Sequence, residues 1–194
     1  LHIESLDAFQ HAWDTIVYVE ENGTFIDEGQ GDFNKHGNDS WAYPQRGFDY
    51  IVRDELGYDN TVDHALFPER NRGKFDRLIF KAAANDNYPF SNGGAHIRDA
   101  YVCQLSILGD LHLDERATRN CIVYINGQYW GVYEVREKVD DTDFTKHYYD
   151  QPKGQVDFLK TWGGTWAEYS AAPTFNPQAN WNSFVTFCTT NSMA

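Results

Sequence analysis

The chain has 194 residues, 41% hydrophobic and 23% charged, and its 16 Lys and Arg against 29 Asp and Glu leave a formal charge of −13. These proportions exclude a long disordered tail or a low-complexity polymer, and no run of about 18 apolar residues is present to cross a membrane as a helix. The acidic balance opposes non-specific attraction to phosphate backbones or anionic lipid, so no nucleic-acid partner and no membrane span are expected. The length suits a single domain whose core hides roughly 70% of the unfolded surface.

The 13 Phe, 12 Tyr and 6 Trp sit among abundant Gly, Asn and Asp. That mixture points to many strands joined by turns. A set of exposed rings that stack on sugar faces is the alternative use of the same aromatics, but large rings are more often core. Cys103, Cys121 and Cys188 are odd in number and show neither CxxC nor metal-ligand spacing, so free, buried thiols are expected and at most one bridge.

In chain order, residues 3–25 read as an amphipathic helix followed by a strand. Ser5 is a cap, Leu6, Phe9, Trp13 and Ile16 recur at helical spacing, and Val17-Tyr18-Val19 leads into an Asn22-Gly23 hairpin turn. Residues 29–40 read as strand, loop and strand around Phe33. Phe48, Tyr50 and Val52 alternate in a strand over 46–54, which Gly57 breaks. Leu78-Ile79-Phe80 is a compact strand followed by a loop over 85–94. Residues 95–109 predict a helix with Ile97, Tyr101, Leu105 and Leu108 on its core face and Gly109 at its end. Cys121 to Ile125, the turn at Asn126-Gly127 and Tyr129 to Val135 form the clearest hairpin. Residues 140–149 carry acids in front and Lys146 and His147 behind, as a helix dipole favours. A strand over 156–160, a loop over 162–180 and a helix from about Trp181 complete the chain. The expected fold is α+β, an antiparallel sheet with packed helices.

Few residues point to chemistry by themselves. Main-chain amides of the small-residue turn Gly37-Asn38-Asp39-Ser40 can cradle phosphate oxygens, and Arg46 opens the next strand with a planar cationic fork. Ordinary turn chemistry explains the same residues. No GxxxxGK[ST] loop, paired-histidine helix or GxSxG elbow occurs. Asp140-Asp141-Thr142-Asp143 suits a helix N-terminus better than a cation site, since it lacks the glycine and final Glu of a calcium loop. Trp162-Gly163-Gly164-Thr165-Trp166 would be a docking surface if exposed and a pin for its loop if buried, and burial is expected.

Taken together, the segments resemble the spore-coat protein H (CotH) kinase family. Gly37 to Ser40 with Tyr43-Pro44-Gln45-Arg46-Gly47-Phe48 is similar to its RGNSS…PKKS signature. Arg98-Asp99 resembles its helix motif, and Tyr124 to Tyr133 followed by Arg136-Glu137 is close to its YINGxYxGxYxxxE hairpin. The order and rough spacing agree over residues 30–145. The run from Lys81 to Val102 looks like the version found in large secreted proteins of bacteria related to Bacteroidetes.

The resemblance implies the amino-terminal part of an atypical protein-kinase-like fold, using ATP and Mg²⁺ to phosphorylate Ser/Thr of secreted or cell-surface proteins. It places Gly37, Asn38 and Ser40 in a phosphate-covering turn, Arg46 at a phosphate-pairing lysine position, and Glu137 as the matching acid beside the adenine. Two departures stand out. Gln45-Arg46 replaces Lys-Lys, and the family's NNW-like and WDxD stretches, which carry catalytic and metal-binding aspartates, do not occur in residues 145–194. The expectation is a carboxyl-terminally truncated domain, inactive alone. A non-catalytic extracellular adhesion or carbohydrate-binding module on the same fold is the rival.

Overall fold

The computed structural model describes residues 2–4, 13–37, 39–87, 93–139, 142–152, 155–170 and 176–191. The chain forms two compact units, Leu1–Val139 and Asp140–Ala194.

The first unit is a curled, almost wholly antiparallel sheet. Its strands are β1 (His2–Glu4), β2 (Trp13–Glu21), β3 (Thr24–His36), β4 (Gly47–Arg53), β7 (Arg77–Lys81), β8 (Thr118–Ile125) and β9 (Gln128–Glu137), closed in the order β1-β2-β3-β4-β7-β9-β8. The small pair β5 (Val62–Asp63) and β6 (Lys74–Phe75) lies in the β4–β7 connection, and helix α1 (Arg98–Leu108) in the β7–β8 connection. Closure rests on β1, which runs antiparallel to β2 and parallel to β8.

Both hairpin turns form where Asn-Gly was read. Asn22 and Gly23, like Asn126 and Gly127, take positive φ at both positions, which matches the twist of paired strands. Three expectations for this unit are corrected. Trp13 and Ile16 lie in β2, not in a helix, because the β-branched and aromatic run Thr15 to Val19 suits a pleated strand better than a helix. Residues 5–12, with Ser5, Leu6 and Phe9, lie outside the described residues. The glycine-rich stretch 29–36 is one continuous strand, and its loop falls later, after His36. A Cβ at Gly31 would stand 2.4 Å from the Ile51 carbonyl oxygen and 2.5 Å from the Tyr50 ring. That glycine admits a neighbour and does not turn the chain.

The interior is aromatic. Phe48 stands 4.4 Å from Phe33, 4.9 Å from Phe80 and 5.6 Å from Tyr133, centroid to centroid. Tyr50, Leu78, Val123 and Val135 complete this core. The third correction concerns α1, which ends at Gly109 as expected but buries another face. Ile97, Tyr101, Leu105 and Leu108 are exposed, Leu108 at 74%, whereas Ser106 is buried and Ile107 packs on the core. The Asp86 carboxylate accepts hydrogen bonds from the amides of Ala95, Ile97 and Arg98, and Ser106 Oγ donates to Glu115 Oε2 at 3.1 Å. These two polar anchors set the rotation of the helix.

In the second unit, α2 (Thr142–Tyr149) has Asp143 in its first turn and Lys146 and His147 in its last, the expected dipole order. Asp140 and Asp141 lie outside the described residues. The expected loop over 162–180 instead contains a strand. β10 (Phe158–Thr161) and β11 (Thr165–Tyr169) pair as a hairpin. Trp162, at its tip, and Trp166, in β11, are not buried as expected but 85% and 43% exposed. Helix α3 (Pro177–Thr190) starts at Pro177, four residues before Trp181, with Asn176 Oδ1 accepting from the Ala179 amide at 3.0 Å. Among the described residues no helix is long and apolar enough to cross a membrane. The three cysteines are free and partly buried.

Candidate functional site

Of the residues singled out in the sequence, Gly37, Ser40 and Arg46 lie in the β3–β4 connection. Gly37 has φ +94°, and a Cβ there would stand 2.2 Å from Ser40 Oγ, so the turn needs glycine for conformation and for space. A short 3₁₀ turn follows over Asp39–Ala42. The Trp41 indole donates to the carbonyls of His36 and Gly47, at 3.0 and 3.1 Å, and so clamps the base of the turn. The Arg46 guanidinium lies 5.2 Å from the Trp41 ring centroid and the Lys35 ammonium 5.1 Å. Arg46 Nε is buried with no acceptor among the described residues. Asn38 lies outside the described residues.

Gln45 anchors this turn to the sheet. Its Nε2 donates to the Val132 carbonyl at 2.9 Å, and its Oε1 accepts from Asn87 Nδ2 at 2.9 Å. Tyr133 hydroxyl donates to the Arg46 carbonyl at 2.9 Å. Gly37, Ser40 and Arg46 are thus gathered at one end of the sheet.

Glu137 is placed elsewhere. It lies four residues along β9 from Tyr133, about 13 Å at the usual strand rise. Its carboxylate is fully buried against Arg72 Nη1 at 3.1 Å, the Ala117 amide at 3.3 Å and Arg70 Nε at 3.9 Å. There it ties the segment before β6 and the strand start near Ala117 to β9.

A second group of charges lies on the outer face of β4, β7 and β9. Phe48, Tyr50, Leu78, Phe80 and Val135 point inward, so their neighbours Asp49, Lys81, Glu134 and Arg136 point outward. His36 Nδ1 lies 2.8 Å from Asp49 Oδ1, and Lys138 Nζ donates to Asp49 Oδ2 at 2.9 Å. Burial pushes the Asp49 carboxyl up, but the hydrogen bond and charge of His36, with Lys138, outweigh it and hold the group below the usual range. Lys81, the last residue of β7, pairs with Asp99 in the first turn of α1. Arg136 pairs with Glu134, and its Nη1 lies 3.6 Å from Asp99. Burial first, then the Arg136 charge, lowers the Lys81 ammonium to about 8, with Glu134 opposing. The contact with Asp99 also favours the charged form.

This outer group was not read from the sequence. Its signal is charge at every second position of strands whose other residues are buried and apolar, as in Phe48-Asp49-Tyr50 and Glu134-Val135-Arg136. Such a pattern places lone charges on a covered face, where they need partners. Among the described residues no group of three or more His, Cys, Asp or Glu could hold a metal ion.

Residues 33–182 match the family model described as CotH kinase protein, a stretch that contains the turn, the charged face and most of the second unit. No curated protein matches the chain.

Proposed function

The chain belongs to the CotH kinase protein family, and we propose on that premise that it serves ATP-dependent transfer of the γ-phosphoryl group to Ser/Thr of secreted or surface proteins. The observation that carries this reading is the Lys81–Asp99 pair between a strand end and the first turn of a helix. Protein kinases hold a phosphate-gripping strand lysine with a helix acid in the same manner. Phosphoryl transfer depends mostly on positioning and on neutralising charge, which strand-mounted cations do well.

In this proposal Lys81 and Arg46 are the phosphate cations, with Gly37, Asn38 and Ser40 covering the phosphates. The buried, acceptor-less Nε of Arg46 fits an anion drawn into the turn. Glu137 acts from behind, as the counter-charge that fixes β9. The described residues include no cluster of three or more His, Cys, Asp or Glu that could hold Mg²⁺.

Calorimetric titration with ATP tests it. Lys81→Met and Arg46→Ala should each weaken binding, by roughly 1.5–3 kcal/mol for a lost charge-assisted contact. Unchanged affinity in both would remove the nucleotide reading. A second reading, a carbohydrate-binding or adhesive module, is favoured by the exposed Trp162 and Trp166 on one hairpin. Its test is sugar-induced quenching of tryptophan fluorescence, lost in Trp162→Ala.

A further inference from the structure

Lys35, near the end of β3, and Arg46, just before β4, flank the turn that joins these strands. Phe33 pairs in register with Tyr50 and Lys35 with Phe48, so alternation puts Lys35 on the face of β3 that Phe33 presents to the core. Phe33 and Phe48 fill the core on that face, their ring centroids 4.4 Å apart. The Lys35 stem therefore carries its ammonium to the exposed rim, 5.1 Å from the Trp41 ring centroid. The Arg46 guanidinium reaches the same ring from the other strand, at 5.2 Å. This platform is fixed. The Trp41 indole N–H is shared between the carbonyls of His36 and Gly47, which pair with each other in the register. The Arg46 carbonyl is held by the Tyr133 hydroxyl, and Gln45 by Val132 and Asn87.

The two cations are unmatched in a chain of net charge −13. Elsewhere in this unit cations lie on acids, as Arg53 does on Asp32, Lys81 on Asp99, Arg98 on Asp86 and Lys138 on Asp49. Among the described residues, neither Lys35 nor Arg46 has a carboxylate at ion-pairing distance. Arg46 Nε is also a buried donor without an acceptor. A ring face attracts a cation but leaves its charge and its N–H groups available to a ligand. A singly charged anion would leave one of the two cations unmatched, whereas a chain of phosphates answers both. The guanidinium offers a planar fork to phosphate oxygens and the ammonium a compact point charge. Between them Gly37, at φ +94°, keeps the turn free of a Cβ.

We infer that Lys35 and Arg46, set on the Trp41 ring, form a two-cation clamp for a polyphosphate chain, which makes Lys35 a further phosphate-binding residue of this turn. The clamp rests on the nucleotide reading for its place in the protein, and Lys35 is the residue it adds. Inorganic tripolyphosphate is the probe, titrated by calorimetry at low salt beside orthophosphate and ATP. The protein should bind tripolyphosphate saturably and orthophosphate at least about tenfold more weakly, because the shorter anion answers only one cation well. Lys35→Met should weaken tripolyphosphate binding about tenfold, the loss of one charge-assisted contact. Lys35 is exposed, so this change leaves the core intact. Lys146→Met, which removes an exposed lysine of α2, should leave binding unchanged. No saturable tripolyphosphate binding, orthophosphate bound as tightly, unaltered affinity in Lys35→Met, or an equal loss in Lys146→Met would each overturn the inference. ATP affinity lowered by Lys81→Met but not by Lys35→Met would also overturn the clamp and leave the nucleotide reading standing. Tripolyphosphate held through Lys35 without any binding of ATP would support the clamp and remove the nucleotide reading.

Discussion

Gln45 Oε1 accepts a hydrogen bond from Asn87 Nδ2 at 2.9 Å, joining the β3–β4 turn to the segment that leaves β7. Asn87 is fully buried and also donates to the Ala82 carbonyl at 2.6 Å. The position that departs from the family's Lys-Lys signature is thus a structural bridge. Gln45→Lys keeps a donor for Val132 but removes the acceptor for Asn87. It should destabilise the fold by about 1–3 kcal/mol, the range for a buried polar group left unmatched, as read by urea denaturation.

Asp86 caps α1 from outside the helix. Burial raises its carboxyl, but the Ala95 amide, then the Arg98 amide and charge, and the Ile97 amide lower it further, to a net position below the usual range. A depressed carboxylate contributes stability that is present above the unfolded value, about 3.9, and lost as pH falls through the folded value. Asp86→Asn should therefore flatten the acid limb of the stability profile below about pH 4. Asp86→Ala should lose about 0.5–2 kcal/mol at neutral pH, as cap removals do.

Glu137 stands among Arg72, Arg70 and the Ala117 amide with no exposed surface. Removing its charge takes the carboxylate away from the Arg72 guanidinium, whose side chain is 2% exposed. Glu137→Gln should lower stability by about 3–5 kcal/mol, the usual effect of breaking a buried pair from one side. If Glu137 acts only through the fold, ATP affinity per folded molecule will match wild type in calorimetry corrected for the folded fraction.

Lys81 offers a signature in base. Its ammonium is lowered to about 8 by burial and Arg136, so the unfolded chain holds that proton to higher pH than the folded one. Stability should then rise with pH from about 8 toward the unfolded value near 10.4. Cys121 acts in the opposite sense above about pH 9, because burial lifts the folded thiol to about 11. The two overlap between about pH 8 and 9, so the Lys81 part is the difference between wild type and Lys81→Met, which should lack the rise, read by thermal melts across that window.

The parts of this protein that could be read before folding are those governed by a few neighbouring residues. Asn22-Gly23 and Asn126-Gly127 announce their hairpins because each pair alone satisfies the positive φ values that such turns need. Gly109 marks the end of α1, and Gly37, Ser40 and Arg46 were picked out together because they lie within one short turn. Residues distant in the chain decided the rest. Helix α1 carries apolar residues on more than one stripe, and only the anchors Asp86 and Glu115, outside it, select the face of Ser106 and Ile107 for burial. Gly31 looks like a loop residue until Tyr50 and Ile51 come alongside. Glu137 reads as one acid in a hairpin motif, yet its environment is Arg72, 65 positions away. Lys81 and Asp99 are 18 apart and meet only when strand and helix dock. Backbone preferences act over a few bonds and are written in adjacent letters. The pairing of charges and the choice of a buried face depend on which distant segment removes water from them, and that is set by sheet closure.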